Sequence, residues 1–491
     1  SHIVMLYGFI LIIIWELLNM EVSIMRLFDL KVFPEFRVIN DTHQNIVFDV
    51  VSTALLQMDD VLLDVAQNAK QLNEQGLKDI HESLSHKYAS SRIEASWKAL
   101  SALVSRRLLQ PLSSRSPIID TSAIRMNAIL LNVAHSCQLA CTYCFAEGGH
   151  YGRPEQEKVM PWRVAKAAID MLDFIDEDGY TIAIAFFGGE PLLNWEVVER
   201  TIRYAKERAH GFKKTRVIFN MTTNAIGLTP SRAKFLREND CRPMISIDGG
   251  EAIHNMLRPA KDAEKNSWQG TIEGVRHWND IGGDPLTARA TITAKDVDIS
   301  SMVDLFRGLG FGKVNTQVVQ TEDPDLKLSP EQLHLYEFQQ LRILHDNLEN
   351  SDDFQRVYGA LRRGRKRNGF CGVGYSSYAV EPNGDIFLCH RFASDAQFQV
   401  GNVFAGLDED KLGQYRGKFN LHESLSCSTC WARHVCGGGC YAENFFSTGD
   451  PLTPHPTRCH LTKFMLYHSI EYLALHGENA PLIHLSEMPD C

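Results

Sequence analysis

Three closely spaced cysteines that follow an apolar segment constrain the fold more than any other feature of this chain. The segment AILLNVA, residues 128–134, predicts a buried strand, and Cys137, Cys141 and Cys144 come directly after it. Thiolates are the usual protein ligands of iron–sulfur clusters, and a cluster of four irons held by three cysteines leaves one iron open to another ligand. A structural zinc site more often takes four protein ligands. The spacing therefore predicts an iron–sulfur site at the end of this strand.

The bulk composition limits the possible partners and compartments. The chain has 491 residues, a formal net charge of −10 and 12 cysteines. This length predicts about three domains, and the acidic balance provides no basic field for a phosphate backbone, so we expect no nucleic-acid partner. Because no signal-peptide pattern accompanies the cysteines, we expect metal sites rather than a secreted disulfide framework, and a cytoplasmic location.

Residues 1–35 are predicted to be an apolar extension outside the domains. The uncharged run from Ile3 to Trp15 would rise only about 20 Å as a helix, which is shorter than the ~30 Å hydrocarbon core. We therefore expect no membrane span, and an interfacial anchor is the alternative. Ser1 and His2 resemble the remnant of an expression tag.

Residues 36–112 are predicted to form a winged-helix-like domain. FRVI and NIVFDV read as a hairpin, and helical periodicity follows in TALLQMDDVLLDVAQNA, which places Leu55, Met58, Leu62 and Val65/Ala66 on one face. Ser91 and Glu94 form a capping-box pair that predicts the start of a third helix. A strand edge in such a domain can capture an extended peptide by strand addition, and a simple docking domain is the alternative.

Residues 118–350 alternate predicted strands with helices, after the linker SSRSP. Six such units predict an α/β fold, a partial (β/α)6 barrel similar to a TIM barrel. Its functional residues should lie at the carboxyl ends of the strands. Three motifs follow predicted strands there, and these are GGEP at 188–191, TTN at 222–224 and SIDGG at 246–250.

Residues 351–475 form a cysteine-rich region, followed by a tail at 476–491. Seven cysteines are found here, at positions Cys371, Cys389, Cys427, Cys430, Cys436, Cys440 and Cys459. Two close pairs of cysteines are also typical of a zinc ribbon, which is the alternative to iron–sulfur binding. Cys241 is expected to be a core residue and Cys491 a free thiol.

The Cys-x3-Cys-x2-Cys motif with Tyr143 inside it resembles the radical S-adenosylmethionine (radical SAM) superfamily, and the seven later cysteines resemble its SPASM extension. The resemblance implies S-adenosylmethionine and three [4Fe–4S] clusters as cofactors. The SAM-binding cluster would be held by Cys137, Cys141 and Cys144. The two auxiliary clusters would be held by Cys371, Cys389 and Cys440 and by Cys427, Cys430, Cys436 and Cys459.

The same resemblance assigns cofactor-binding roles to residues outside the cysteines. The implied set is Tyr143, Gly188, Gly189, Glu190, Asn224, Ser246 and Arg289. An arginine on a strand that faces a barrel interior is costly unless it pairs with an anion, which supports Arg289. Asn255 stands where relatives commonly have Asp, and this departure is expected to alter a local ion pair.

The motif surroundings resemble the maturases of Cys-rich peptides that form thioether crosslinks, and the N-terminal segment resembles their precursor-peptide recognition element. The resemblance implies a precursor peptide or small protein as partner, an external electron donor and an intrapeptide thioether as product. Because Ser376 and Ser377 stand where some relatives have a further cysteine, the first auxiliary cluster is expected to bind a substrate thiolate.

Several alternatives remain open on sequence alone. The same machinery could join two carbons, invert a stereocentre or form formylglycine as in sulfatase maturation. His390 occupies the position after Cys389 where sulfatase maturases generally carry an Asp proposed as a base, and it is a candidate for proton transfer. A non-enzymatic electron-transfer protein would not need GGEP or Arg289.

Overall fold

A computed structural model describes most of the chain. The described residues are 36–41, 44–69, 72–109, 125–152, 158–346, 352–362, 366–419, 421, 423–476 and 482–483. The predicted extension at 1–35, the linker SSRSP and Cys491 lie outside them. In the described parts of the chain, no helix is long and apolar enough to cross a membrane.

The N-terminal region combines a small sheet with three helices. Strands β1 (Phe36–Asp41), β2 (Gln44–Asp49) and β3 (Leu55–Met58) pair antiparallel in that order. A two-residue strand from the far end of the sequence, β14 (Leu482–Ile483), pairs parallel with β3 and makes the sheet four-stranded. The three expected helices follow as α1 (Asp60–Asn68), α2 (Glu74–Leu84) and α3 (Ser90–Ser105).

The predicted helical face is confirmed at Leu62, Val65 and Ala66, which are buried on α1. It is wrong at Leu55 and Met58, because these residues form β3. Their spacing of three fits a helix, but Leu55 pairs with Phe48 of β2 and Met58 pairs with Asn45. The helix begins only at Asp60, where the preceding Asp59 accepts a hydrogen bond from the Leu62 amide at 2.8 Å. The segment that resembles one helix in the sequence is therefore a strand, β3, followed by the helix α1, and Asp59 marks the boundary between them.

The predicted capping box of the third helix is also wrong. Helix α3 begins at Ser90, and Ala89 at the N-cap provides no side-chain hydrogen bond. Ser91 therefore lies inside the first turn, where its hydroxyl cannot cap the helix.

The central sheet contains six parallel strands in chain order. They are β4 (Ala128–Ala134), β5 (Thr181–Gly188), β6 (Arg216–Thr223), β7 (Cys241–Ser246), β8 (Thr287–Ile292) and β9 (Lys313–Val318). Strand β4 has β5 on one side and a C-terminal hairpin strand on the other, so the parallel sheet remains open. The alternation of strands and helices agrees with the α/β expectation.

Helices connect these strands and cover the sheet. They are α4 (Trp162–Asp170), α5 (Trp195–Ala209), α6 (Pro230–Glu238), α7 (Glu251–Leu257), α8 (Ser267–Asp280), α9 (Ile299–Gly308) and α10 (Pro330–Asp346). Apolar strand residues such as Ile184, Ile245 and Ala290 are fully buried in the main core. Because these strands are parallel, their carboxyl ends lie at one rim of the sheet.

The C-terminal region extends the central sheet and returns to the N-terminal one. Its helices are α11 (Asp352–Arg362), α12 (Glu409–Lys418), α13 (Arg433–Cys436), α14 (Tyr441–Thr448) and α15 (Pro456–His476). Its strands are β10 (Ser377–Val380), β11 (Asp385–Phe387), β12 (Gln399–Asn402) and β13 (Gly406–Leu407). Strand β10 pairs parallel with β4 and antiparallel with β11, so this hairpin prolongs the sheet beside the first strand of the series.

Both faces of the N-terminal sheet are covered. Val47, Leu56 and Met58 pack with the three N-terminal helices. On the opposite face, Ile46, Phe48 and Leu55 belong to a cluster with C-terminal residues, namely Ala360, Leu361, Ala432, Val435, Leu466, Ile470 and Leu473. The small sheet is therefore a layer between its own helices and the cysteine-rich region.

Candidate functional site

A cavity of about 390 Å³ opens at the carboxyl ends of the parallel strands. Cys137, Cys141 and Cys144 line it, as expected for residues that follow β4. The cavity is also lined by all seven residues that sequence reasoning assigned to cofactor binding, namely Tyr143, Gly188, Gly189, Glu190, Asn224, Ser246 and Arg289. The sequence motifs that follow separate strands thus come together at one place.

Gly188 and Gly189 allow the end of β5 to pack directly on the backbone that leads to the cysteines. A Cβ atom at Gly188 would lie 2.4 Å from the carbonyl oxygen of Ala134, and one at Gly189 would lie 2.3 Å from that of Ser136. The amide of Gly189 donates a hydrogen bond to Ala134, and that of Glu190 donates one to Ser136. A side chain at either glycine would displace the start of the cysteine loop.

Glu190 is a fully buried carboxylate at this junction. Its Oε1 atom accepts hydrogen bonds from the Thr223 hydroxyl at 2.6 Å and the Leu192 amide at 3.0 Å, and its Oε2 atom accepts one from the Asn224 amide at 2.8 Å. Burial raises the pKa of Glu190 to about 7, although these donors oppose the shift. The carboxylate links the ends of β5 and β6 and could stabilise a cationic ligand group in the cavity.

Nitrogen donors surround the sulfur atoms of the first cysteine group. The Asn224 side-chain amide lies 3.7 Å from the sulfur of Cys137, and the guanidinium of Arg258 lies 4.0 Å from that of Cys141. Burial raises the pKa of Cys137 to about 12 and that of Cys141 to about 11, so metal binding there must release protons. Three soft thiol ligands on the wall of one cavity, with N–H groups directed at the sulfurs, fit an iron–sulfur cluster.

An Asp–Arg pair behind the cysteines was not identified from the sequence. Arg258 donates to Asp248 through Nε at 2.8 Å and through Nη2 at 3.1 Å, and both side chains are buried. Asp248 also accepts hydrogen bonds from the Tyr143 hydroxyl and the Thr291 amide. Only the tertiary fold brings these residues together, although an Asp in the SIDGG motif gave a signal that could have been used.

Ser246 and Arg289 are paired neighbours on β7 and β8. Arg289 donates a hydrogen bond to the side-chain oxygen of Asn315 on β9, so this part of the site contains a guanidinium held against a neutral amide. Asn255, the departure noted in the sequence, is a hydrogen-bond acceptor in the structure. Asn255 accepts hydrogen bonds from the Ser267 hydroxyl at 2.8 Å and the Trp268 amide at 2.9 Å, and it thereby holds the start of α8.

His390 lines the same cavity within an aromatic group. Its ring centroid lies 4.4 Å from that of Phe187 and 5.8 Å from that of Phe145. Burial and the adjacent Arg391 lower the pKa of His390 to about 3, so the imidazole is neutral at physiological pH. A group with such a pKa is a poor proton acceptor near neutrality, and the ring instead packs on the cavity wall.

A second cavity of about 350 Å³ shares Phe145, Gln320 and Arg391 with the first. Arg391 donates to Glu443 at 2.5 Å, and the same nitrogen lies 3.9 Å from the sulfur of Cys440. Its backbone amide donates to the sulfur of Cys389 at 3.5 Å. Arg391 thus connects the shared cavity wall with two cysteines of the C-terminal region.

The seven C-terminal cysteines fall into two spatial groups. Cys371, Cys389 and Cys440 are close enough to interact electrostatically, and burial followed by these neighbours raises the pKa of Cys389 to about 12. The other four line a separate small cavity, and they are Cys427, Cys430, Cys436 and Cys459. In the described residues, no three His, Cys, Asp or Glu side chains are arranged to bind a single metal ion.

The fold and the cavity define an α/β protein whose parallel strands present a three-cysteine site at their carboxyl ends. Residues 131–307 match the family model described as the Radical SAM superfamily. This part of the chain is similar to the radical SAM enzymes. This family implies S-adenosylmethionine and a [4Fe–4S] cluster, which agrees with the chemistry of the donor set at Cys137, Cys141 and Cys144.

Three curated proteins illustrate the range of relatives. An uncharacterised protein of Methanocaldococcus jannaschii is 34% identical over 150 residues, which are 30% of this chain and 48% of the relative, so the match spans about half of that protein. The mycofactocin maturase MftC of Mycolicibacterium smegmatis is 25% identical over 67% of this chain and 81% of its own length. A cysteine-type anaerobic sulfatase-maturating enzyme of Clostridium perfringens is 23% identical over 64% of this chain and 88% of its own length.

A solved structure shares the fold. The structure described as native anSMEcpe with bound AdoMet superimposes with a TM-score of 0.59 and 18% sequence identity, and the match covers 72% of this chain and 99% of that chain. At this identity the similarity shows the fold alone.

Proposed function

We propose that the chain is a radical SAM peptide maturase that installs an intrapeptide thioether in a ribosomally made precursor peptide or small protein. The observation that carries this proposal is the shared wall of the two cavities. Arg391 lines both, and its nitrogen atoms approach Cys389 and Cys440. A substrate that fills these cavities would therefore lie between the first cysteine group and the group of Cys371, Cys389 and Cys440.

The residues of the chain have distinct roles in this proposal. Cys137, Cys141 and Cys144 would hold the SAM-binding cluster, and the two C-terminal groups would hold auxiliary clusters. When bound, S-adenosylmethionine and its cluster supply hydrogen-atom abstraction from an unactivated carbon. The buried Glu190 would stabilise the ammonium group of the cofactor, and Arg289 its carboxylate.

The cavity wall would also orient the substrate and exclude water. Phe145, Phe187 and His390 form an apolar aromatic surface beside the first cysteine group. The C-terminal group containing Cys371 would bind the substrate thiolate, because Ser376 and Ser377 provide no further thiol ligand nearby. Overall, a thiol and a C–H group become a C–S bond, while S-adenosylmethionine is reduced to methionine and 5′-deoxyadenosine with release of one proton.

The N-terminal region would bind the peptide. Its sheet lies against the cysteine-rich region through contacts such as the edge-on pair of Phe48 and Trp431, whose ring centroids are 6.3 Å apart. Similarity to the mycofactocin maturase and to the sulfatase-maturating enzyme supports a polypeptide substrate. Strand addition at this sheet would bring the rest of the peptide to the cavities.

Mass spectrometry of a short Cys-containing peptide encoded beside this gene tests the proposal. After anaerobic incubation with the reconstituted enzyme, a reductant and S-adenosylmethionine, we expect a loss of about 2 Da and a cysteine that no longer reacts with alkylating agents. The variant Cys137→Ala should be inactive, and Cys241→Ala, whose thiol lies in the main core, should retain activity. The same loss with a free cysteine would replace thioether formation by carbon–carbon bonding, and a hydrazide-reactive aldehyde would indicate formylglycine.

A further inference from the structure

The N-terminal sheet contains a strand that its local sequence does not provide. Strand β14 (Leu482–Ile483) lies parallel to β3, with Leu482 opposite Leu55 and Ile483 opposite Leu56. This pairing occupies the edge of β3 that β2 leaves open. A segment more than 400 residues away in the sequence therefore fills the backbone hydrogen-bonding positions of this edge.

Among the described residues, an extended peptide can join this sheet only at one of its edges. One face packs with the N-terminal helices and the other with the C-terminal helices, as shown by Leu56 and Leu55, which are buried in different clusters. A peptide that joins the sheet must therefore add to β1 or to β3. The edge of β3 is the one on which an extended segment is seated.

The seated strand is weakly held by its backbone. It pairs at two positions, and a parallel ladder is slightly less stable per residue than an antiparallel one. Strand β3 has four residues, so a longer peptide could pair with more of it than β14 does. An incoming peptide can thus form a more extensive ladder than the one it replaces.

The residues of helix α15 that pack on the sheet lie outside β14. Helix α15 contributes Leu466, Ile470 and Leu473 to the apolar cluster on the sheet, and these residues precede β14 in the chain. Helix α15 thus keeps its own apolar residues on the sheet when β14 is exchanged for a peptide.

We propose that β14 is an intramolecular competitor for the peptide-binding edge of β3 and that an extended apolar peptide must displace it. This inference rests on the proposed function in one respect, namely that the physiological displacing peptide is the substrate. The five residues 477–481 tether the strand to α15. A short tether gives an effective concentration in the millimolar range, so a strand whose own dissociation constant is about 10–100 μM weakens a competing peptide by roughly tenfold to hundredfold.

Fluorescence anisotropy with a labelled synthetic peptide of residues 478–489 tests the competition without a precursor. A variant that ends at His476 should bind the labelled peptide at least about tenfold more tightly than the full chain does. Equal affinity for the two proteins, or no binding by the shortened one, would overturn the proposal. The same peptide with proline at the positions of Leu482 and Ile483 should not bind, because proline has no N–H to donate.

Two variants of the full chain separate displacement from damage caused by truncation. Leu482→Pro/Ile483→Pro should bind the labelled peptide as the shortened chain does, whereas Leu482→Val/Ile483→Val keeps both amides and should bind it as weakly as the unmodified chain. If both variants behave alike, the competition is excluded. S-adenosylmethionine cleavage by the same proteins is measured separately, so failure of the proposed function appears in turnover and failure of this inference appears in binding.

Discussion

The guanidinium of Arg258 and the carboxylate of Asp248 form a buried, two-point ion pair behind the first cysteine group. The nitrogen–oxygen distances are 2.8 and 3.1 Å, and the Asp248 carboxylate also accepts the hydroxyl of Tyr143. Tyr143 lies between Cys141 and Cys144 in the sequence, so the pair fixes the cysteine loop from behind. The loop position therefore depends on residues from the end of β7 and the turn after α7.

We predict that Arg258→Met destabilises the protein strongly. Removing one partner of a buried pair leaves an uncompensated charge, which costs about 3 kcal/mol or more. The midpoint of thermal unfolding should fall by several degrees, and S-adenosylmethionine cleavage should fall with it because Tyr143 loses its fixed acceptor.

The matched control is Arg242→Met. Arg242 pairs with Asp284, and their side chains are 66% and 62% exposed. Loss of such a surface pair costs at most about 1 kcal/mol. If the two variants lower the unfolding midpoint equally, the buried pair has no special role.

Gly189→Ala should disrupt the cysteine loop. The added methyl group would lie 2.3 Å from the Ser136 carbonyl oxygen, so the backbone must move. Overpacking of this kind typically costs about 1–3 kcal/mol, and the displaced loop should lower the iron content of the first site. Gly211→Ala is the control, since a Cβ atom there meets no other atom within 4 Å; iron analysis that finds both variants fully loaded would contradict the prediction.

His254 should make the stability of the protein depend on pH. Burial, followed by the charge of Arg258, lowers the pKa of His254 to about 4, while Asp248 opposes the shift. Below the ordinary pKa near 6.5, the unfolded chain binds a proton that the folded chain excludes, so stability is lost as the pH falls toward 4. From pH 7.5 to 5 this group should remove about 2 kcal/mol of stability.

His254→Gln removes the titrating group and tests this contribution. The difference between the unfolding midpoints at pH 7.5 and pH 5 should be smaller in the variant than in the unmodified protein. Equal differences in the two proteins would assign the acid sensitivity to other groups.

Metal analysis should distinguish the three cysteine groups. Under the proposal of three four-iron clusters, the reconstituted chain binds about twelve irons, and replacing Cys137, Cys141 and Cys144 by alanine leaves about eight. Cys241→Ala should keep all of them, because burial alone raises the pKa of that thiol and the side chain lies in the main core. Zinc in place of iron in the C-terminal groups would contradict the proposal.

The sequence was most informative where several local signals agree. The six parallel strands were predicted because each is a short apolar run followed by a helical pattern. Apolar residues in the middle of such strands, for example Ile184 and Ala290, are buried between the sheet and its helices. The residues of the cavity were predicted as a set because motifs at the carboxyl ends of neighbouring parallel strands must meet.

The errors occurred where local spacing is ambiguous or where partners are distant. Leu55 and Met58 are three residues apart, which suits a helix, but pairing with β2 makes them part of a strand. The contacts of Arg258 with Asp248 and of β14 with β3 join segments whose proximity depends on the whole fold. Such contacts have no local periodicity from which they could be predicted.

The face of the N-terminal sheet that packs on the cysteine-rich region has a consequence for synthesis of the protein. Ile46, Phe48 and Leu55 are made early, but Leu466, Ile470 and Leu473 of helix α15 cover them and are made more than 400 residues later. At about 5–20 residues per second, a ribosome needs on the order of 20–80 s to cover that interval. For that time the nascent sheet carries a bare apolar face, so a holdase chaperone that shields this face should raise the yield of folded protein.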